Sequence, residues 1–178
     1  MKILIAYGTK NGTVAKCVER LQERLSDKDV TTVCLERESV DPAGFDIVVV
    51  GSCIRFEKLR PCVQGFLRQY EAVLCQKRLA LFLCCANHEE YEYYAEKRFS
   101  EKLRRSAFEV AYFGGSLHRE GLSFFDKMLV NAMRSKLFEE SMDEGEYSAT
   151  LPAVLPENID RMAGLIREEW KRLILNNR

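Results

Sequence analysis

The first thing this sequence lacks is net charge: Lys+Arg and Asp+Glu each number 27 among 178 residues. Without a net field to draw it to a polyanion, the chain is not expected to have a nucleic-acid partner. Long apolar runs are missing too. None approaches the ~20 residues of a membrane span, and the apolar run within Met1 to Gly8 is too short for a secretory leader. The seven cysteines are an odd number without Cys-x-x-Cys spacing, which argues against a disulfide scaffold and a zinc site. These absences predict a soluble, cytoplasmic protein. Its 47% hydrophobic content suffices for one core, so a single domain over 1–178 is expected.

Neutrality hides one local bias. Arg55, Lys58, Arg60, Arg68, Lys77 and Arg78 face only Glu57 and Glu71 over the same stretch, a pattern read as a solvated face.

Short β-rich runs alternate with helical patterns. The runs are Lys2 to Tyr7, Val30 to Leu35, Phe45 to Gly51, Leu79 to Cys85 and Ala107 to Phe113. Ile47-Val48-Val49-Val50 is unbroken, as in a strand covered on both faces. Helical stripes fall at Val14, Val18, Leu21 and Leu25; at Val63, Phe66, Leu67, Tyr70 and Leu74; and at Tyr91, Ala95, Phe99 and Leu103. A last stripe, from Ile159 to Ile174, begins just after Pro156. The alternation predicts an α/β fold, a doubly wound five-stranded parallel sheet in the flavodoxin-like order 2-1-3-4-5. An extra helix over 121–140 is expected before the C-terminal helix, followed by an exposed connection over 140–156.

Ligands in such sheets lie outside the carboxyl ends of the strands. Three connections leave that edge: Gly8 to Thr13, Ser52 to Leu59, and Ala86 to Tyr91. The first, within "YGTKNGTVAK", leads directly into a helix whose free amides attract an anion. Thr9 and Thr13 add hydroxyls, Gly12 permits close approach, and Asn11 tolerates a turn. A phosphate is the simplest occupant. The stretch is not a Walker loop, because Gly8 and Gly12 are four apart and no Lys-Ser/Thr follows, and Gly-x-Gly-x-x-Gly is absent. Nor does it carry the acidic residues of a phosphate-accepting receiver: Tyr7-Gly8-Thr9 and Gly51-Ser52-Cys53 stand at those strand ends.

With the Tyr-Gly-Thr-x-x-Gly turn and the loop after strand three, the chain resembles the flavodoxin family. The resemblance is closer still to the flavodoxin-like menaquinone-dependent protoporphyrinogen IX dehydrogenases. Gly51-Ser52-Cys53-Ile54-Arg55-Phe56 is similar to their Gly-Ala-Ser-Ile-Arg-Tyr segment. Phe113 to Met133, "FGGSLHREGLSFFDKMLVNAM", resembles their Ala-Gly-Gly/Ala-Leu-x-Tyr segment and the helix after it.

The resemblance implies FMN as cofactor. By position, Thr9, Lys10, Asn11, Gly12 and Thr13 would hold its phosphate. Ser52, Cys53, Ile54, Arg55 and Phe56 would line one side of the ring, and Cys85, Ala86, Asn87 and His88 the other. Val14 stands where flavodoxins usually carry threonine, leaving the neighbouring Thr13 to supply a hydroxyl. Phe56-Glu57-Lys58 lacks the glycine on which many flavodoxins rely for one-electron chemistry, which favours two-electron turnover.

Arg55 and His88 are the candidate catalytic residues. A guanidinium by the flavin N1-C2=O edge would favour the anionic reduced form and raise the potential. His88 and His118, the only histidines, could shuttle protons. Tyr91, Tyr93 and Tyr94 could stack on a flat substrate or pack in the core. Cys53 could be a redox-sensitive thiol, while Cys84 and Cys85 point to opposite faces of a strand. The apolar stripe over Leu122 to Phe138 either packs on the sheet or meets a hydrophobic substrate or a membrane surface.

The expected function is an FMN-dependent oxidoreductase that takes electrons from a small-molecule substrate such as protoporphyrinogen IX and passes them to a quinone-type acceptor. The alternatives are a flavodoxin-type electron carrier, which as a family is strongly acidic, and a flavodoxin-fold interaction protein without cofactor.

Overall fold

The computed structural model describes residues 1–85, 90–115 and 154–176. Five parallel strands, β1 (Ile3–Gly8), β2 (Val30–Cys34), β3 (Ile47–Cys53), β4 (Arg78–Cys84) and β5 (Ala107–Tyr112), form one sheet in the expected order β2-β1-β3-β4-β5. The helices are α1 (Thr13–Arg24), α2 (Pro61–Leu74), α3 (Tyr91–Arg98), α4 (Glu101–Ser106) and α5 (Pro156–Asn176). The helix expected over 121–140 lies outside the described residues, as does most of the connection after it.

The unbroken apolar strands are explained by two cores, because successive side chains in a strand point to opposite faces. Leu4, Ala6, Val48, Val50, Leu79, Leu81 and Leu83 enter the core shared with α2, α3 and α4. Ile3, Ile5, Ile47, Val49, Ala80 and Phe82 enter the core shared with α1 and α5. Cys85 and Cys84 divide in the same way. β3 begins two residues later than the apolar run suggests. The Asp41 carboxylate accepts from the Ala43 amide at 2.9 Å and caps a turn over Pro42–Gly44, with Phe45 at its end.

One expected helix is two. Tyr91, Ala95, Phe99 and Leu103 keep a helical spacing, yet the chain is extended at Phe99 and Ser100. The Ser100 hydroxyl accepts from the Leu103 amide at 3.2 Å and so starts α4 afresh. A serine N-cap competes with continuation of the helix, and Phe99 and Leu103 stay buried.

The basic stretch is not a uniform solvated face. Arg60 Nε donates to Glu36 at 2.6 Å, Lys77 Nζ donates to the Ala43 carbonyl at 2.6 Å, and Arg78 meets Glu169 of α5 at 2.5 Å. Glu169 is only 5% exposed and also accepts from Arg172 at 2.7 Å, so a carboxylate amid the apolar stripe of α5 is buried in company.

Asp160 of α5 accepts from Arg20 and Arg24 of α1, and Arg167 donates to Asp27 just beyond α1. Hydrogen bonds from Arg20 and then Arg24 hold the Asp160 carboxyl below the ordinary carboxylate range, and those from Arg167 and Lys28 do so for Asp27. A lowered native pKa contributes stability above the unfolded value, and this is lost as pH falls through the native one. The urea midpoint is therefore expected to drop as pH falls below about 4. Asp160→Asn should flatten that drop, as measured by urea unfolding at several pH values.

Candidate functional site

β1, β3 and β4 are parallel neighbours, so their carboxyl ends lie side by side at one edge of the sheet, where the loops after β1 and β3 begin. The first is held from beneath: a Cβ on Gly8 would lie 2.6 Å from Val63 Cγ2 and 2.9 Å from Arg60 Cβ, so only glycine lets the strand leave against α2. Gly12 then takes φ +81 as the N-cap of α1. Nothing crowds it, so the turn and not the space asks for glycine.

No side chain caps α1, and no carboxylate occupies its first turn. Its leading amides thus present a positive dipole end without a side-chain acceptor. Thr9 Oγ1 is buried with no hydrogen-bond partner among the described residues. Lys10 and Asn11 are exposed and Thr13 is half-buried. An orphaned hydroxyl beside an uncapped helix start suits an anion. Val14, where the resemblance would place a threonine, is fully buried in the core.

The second loop is pinned at its base. Ser52 is fully buried, donates to the Cys53 carbonyl at 3.0 Å and accepts from the Arg60 amide at 3.1 Å. Its hydroxyl thus holds the loop closed. The Ile54 amide donates to the Cys84 carbonyl at 2.9 Å, and the Ile54 side chain packs on the core.

Beyond it, Arg55 and Lys58 exchange two backbone hydrogen bonds of 3.0 Å around a two-residue turn. Phe56 and Glu57 at that turn have φ of 48 and 61, the only non-glycine residues in the left-handed region among those described. Glycine or asparagine normally occupies such a turn. The strain raises Phe56 into solvent, 41% exposed, with the Arg55 guanidinium 5.1 Å from its ring centre. Glu57→Gly is expected to raise stability by about 1 kcal/mol, because Glu57 loses only a 3.9 Å contact with Arg98. Chemical denaturation measures this gain.

Cys53 joins the first two loops. Burial raises its thiol pKa, against the pull of Arg60, the Lys10 backbone amide and Arg55. Cys85, at the start of the third loop, is buried, and burial with Glu90 pushes its thiol up to about 12. Tyr112 donates to the Cys85 carbonyl at 2.9 Å. Ala86, Asn87 and His88 lie outside the described residues, as does His118.

The tyrosines separate by role. Tyr91 donates to the Val110 carbonyl at 2.5 Å, and burial pushes its hydroxyl up to about 12. Tyr94 is buried and donates to Glu90 at 2.7 Å. Of these three, Tyr93 alone is exposed, at 49%, and so is available to stack on a ligand.

Sequence reasoning did not find the Ser52 pin, the Glu36–Arg60 pair or the left-handed turn. Ser52 was legible only as a loop residue, and the turn carries no glycine signal. Among the described residues no three His, Cys, Asp or Glu side chains could share a metal ion, and no helix is long and apolar enough to cross a membrane.

Comparison with solved structures returns the same fold. The flavodoxin of Fusobacterium nucleatum bound to flavin mononucleotide is 14% identical, with a TM-score of 0.56 over 94% of this chain and 98% of that one. Oxidised flavodoxin 1 of Bacillus cereus is 10% identical, with a TM-score of 0.52 over 80% of this chain and 100% of its own. A flavodoxin from the domain Archaea is 19% identical, with a TM-score of 0.51 over 75% of this chain and 93% of its own. No curated protein matches the sequence. The flavodoxin domain model, however, matches residues 4–143, a span that takes in β2 to β5 whole, all of β1 after Ile3, and the first two loops entire: the chain belongs to the flavodoxin domain family.

Proposed function

We propose that this protein binds FMN at the carboxyl edge of its sheet and works in the cytoplasm as an FMN-dependent oxidoreductase. The observation that carries the reading is the buried, unpartnered Thr9 hydroxyl beside the uncapped start of α1. A sealed donor without an acceptor costs about 1–3 kcal/mol, which a bound phosphate would recover. The Fusobacterium nucleatum flavodoxin, which binds FMN, supports the choice of anion.

Thr9, Lys10, Asn11, Gly12 and Thr13 would hold the phosphate. Arg55 and Phe56, with Cys53 and Ile54 behind them and Ser52 pinning the base, would form one wall of the ring site. Cys85, Ala86, Asn87 and His88 would form the other. When bound, FMN supplies two-electron redox chemistry. Arg55 would stabilise negative charge at the ring edge, and His88 would move the accompanying proton.

The finer reading, oxidation of protoporphyrinogen IX or a similar reduced substrate with a quinone-type acceptor, rests on the segments Gly51 to Phe56 and Phe113 to Met133. The purified protein is expected to be yellow, to release FMN on denaturation and to rebind it on fluorescence titration. A colourless protein that takes up no FMN overturns the reading. Two-electron oxidation of protoporphyrinogen with a quinone supports the enzyme, whereas two widely separated one-electron potentials without turnover support a carrier.

A further inference from the structure

Two buried thiols meet beneath the site. Cys17 lies in the second turn of α1, the helix that follows the first loop, and Cys84 is the last residue of β4, just before the third loop. Their sulfurs are 3.8 Å apart, and the residues are 0% and 2% exposed. Cys53, which pairs with Cys84 across β3 and β4, packs on the same core and is only half-buried.

Buried cysteines commonly serve as small apolar fillers. This pair differs in being hydrogen-bonded sulfur to sulfur. The bond with Cys84 draws the Cys17 pKa down, and the same bond, then burial, drives Cys84 up. Either sulfur can donate in this contact, so one thiol can attack while the other keeps the proton. Shortening the contact to the ~2.05 Å of a disulfide takes roughly 1.8 Å.

We propose that Cys17 and Cys84 are a peroxide-oxidised dithiol whose disulfide staples α1 to the end of β4. With both sulfurs buried, the oxidant proposed is the small neutral molecule hydrogen peroxide in place of a bulky disulfide. The Cys17 thiolate attacks one peroxide oxygen, the O–O bond breaks, and hydroxide leaves and takes up a proton as water. Cys17 is now a sulfenic acid. The Cys84 sulfur then attacks the Cys17 sulfur, the S–O bond breaks, and a second water leaves with the Cys84 proton. Two thiols and one peroxide thus become one disulfide and two waters.

The staple would join the helix behind the first loop to the strand leading into the third. Nothing in this step requires a bound cofactor, so it can be tested apart from flavin binding.

The full-length protein is treated with hydrogen peroxide, alkylated in denaturant, digested and analysed by mass spectrometry. Two of its seven cysteines should become protected, and one linked peptide pair should carry Cys17 and Cys84, less two hydrogens. Dithiothreitol should return both to the alkylated pool. In Cys84→Ala the sulfenic acid on Cys17 should persist and be trapped by dimedone, while Cys34→Ala should leave the linked pair unchanged. Seven alkylated cysteines after peroxide, or a Cys53–Cys84 link in place of Cys17–Cys84, would overturn the proposal. Mapping of the unmutated chain decides it even if a variant fails to fold.

Discussion

Gly51→Ala is expected to destabilise the fold by about 3 kcal/mol or more, a large share of the roughly 5–15 kcal/mol that holds a domain of this kind together. Gly51 lies in β3 beside Phe82 of β4, and a Cβ there would lie 1.9 Å from Phe82 Cζ and 2.2 Å from Cε1. The ring has nowhere to go. Phe82 is fully buried and stacks on Phe113 with ring centres 4.3 Å apart. Adding one methyl group therefore displaces the centre of the α1 and α5 core, and close-packed interiors resist that. Urea unfolding measures the loss. Phe82→Leu in the Gly51→Ala background should restore part of it, so the double variant should be less damaged than the sum of the single ones. Simple additivity would show that the collision at Gly51 is relieved elsewhere.

Thr9→Val is expected to weaken FMN binding by about 10- to 100-fold, the value of a hydrogen bond to a charged group. It should do so without harming the free protein. Thr9 Oγ1 is buried and unpartnered, so replacing the hydroxyl by a methyl of similar shape removes an unsatisfied group. The free variant should be as stable as the parent, or up to about 1 kcal/mol more so. Fluorescence titration gives the first quantity and urea unfolding the second. Weaker binding with undiminished stability marks a hydroxyl kept for a ligand, whereas a loss of stability alone would mark a structural one.

The sheet was legible because its information is local. Ile47 to Val50 read as a strand covered on both faces, and each residue enters one core or the other as pleating requires. Four apolar stripes marked helices because burial of one face repeats at helical spacing. The third stripe misled. Phe99 and Leu103 obey the spacing and are buried, yet Ser100 breaks the helix between them, so periodicity reported burial correctly and continuity wrongly. The turn at the first loop was legible from Gly12 and the helix that follows. That Thr9 and not Thr13 is the sealed, unpartnered hydroxyl was not.

The alternation of short apolar runs with amphipathic stripes was enough to specify a doubly wound α/β sheet, and right-handed crossovers left few strand orders, of which the expected 2-1-3-4-5 is the one found. Backbone hydrogen bonding and one-face burial act over a few residues and leave a periodic trace. Which side chains are spent was decided only by tertiary packing: Ser52 pinning its loop, Arg60 and Arg78 paired to Glu36 and Glu169, Phe56 raised on a strained turn, and Cys17 set against Cys84. These contacts join residues distant in the chain, and no local spacing encodes a partner that the fold alone brings near.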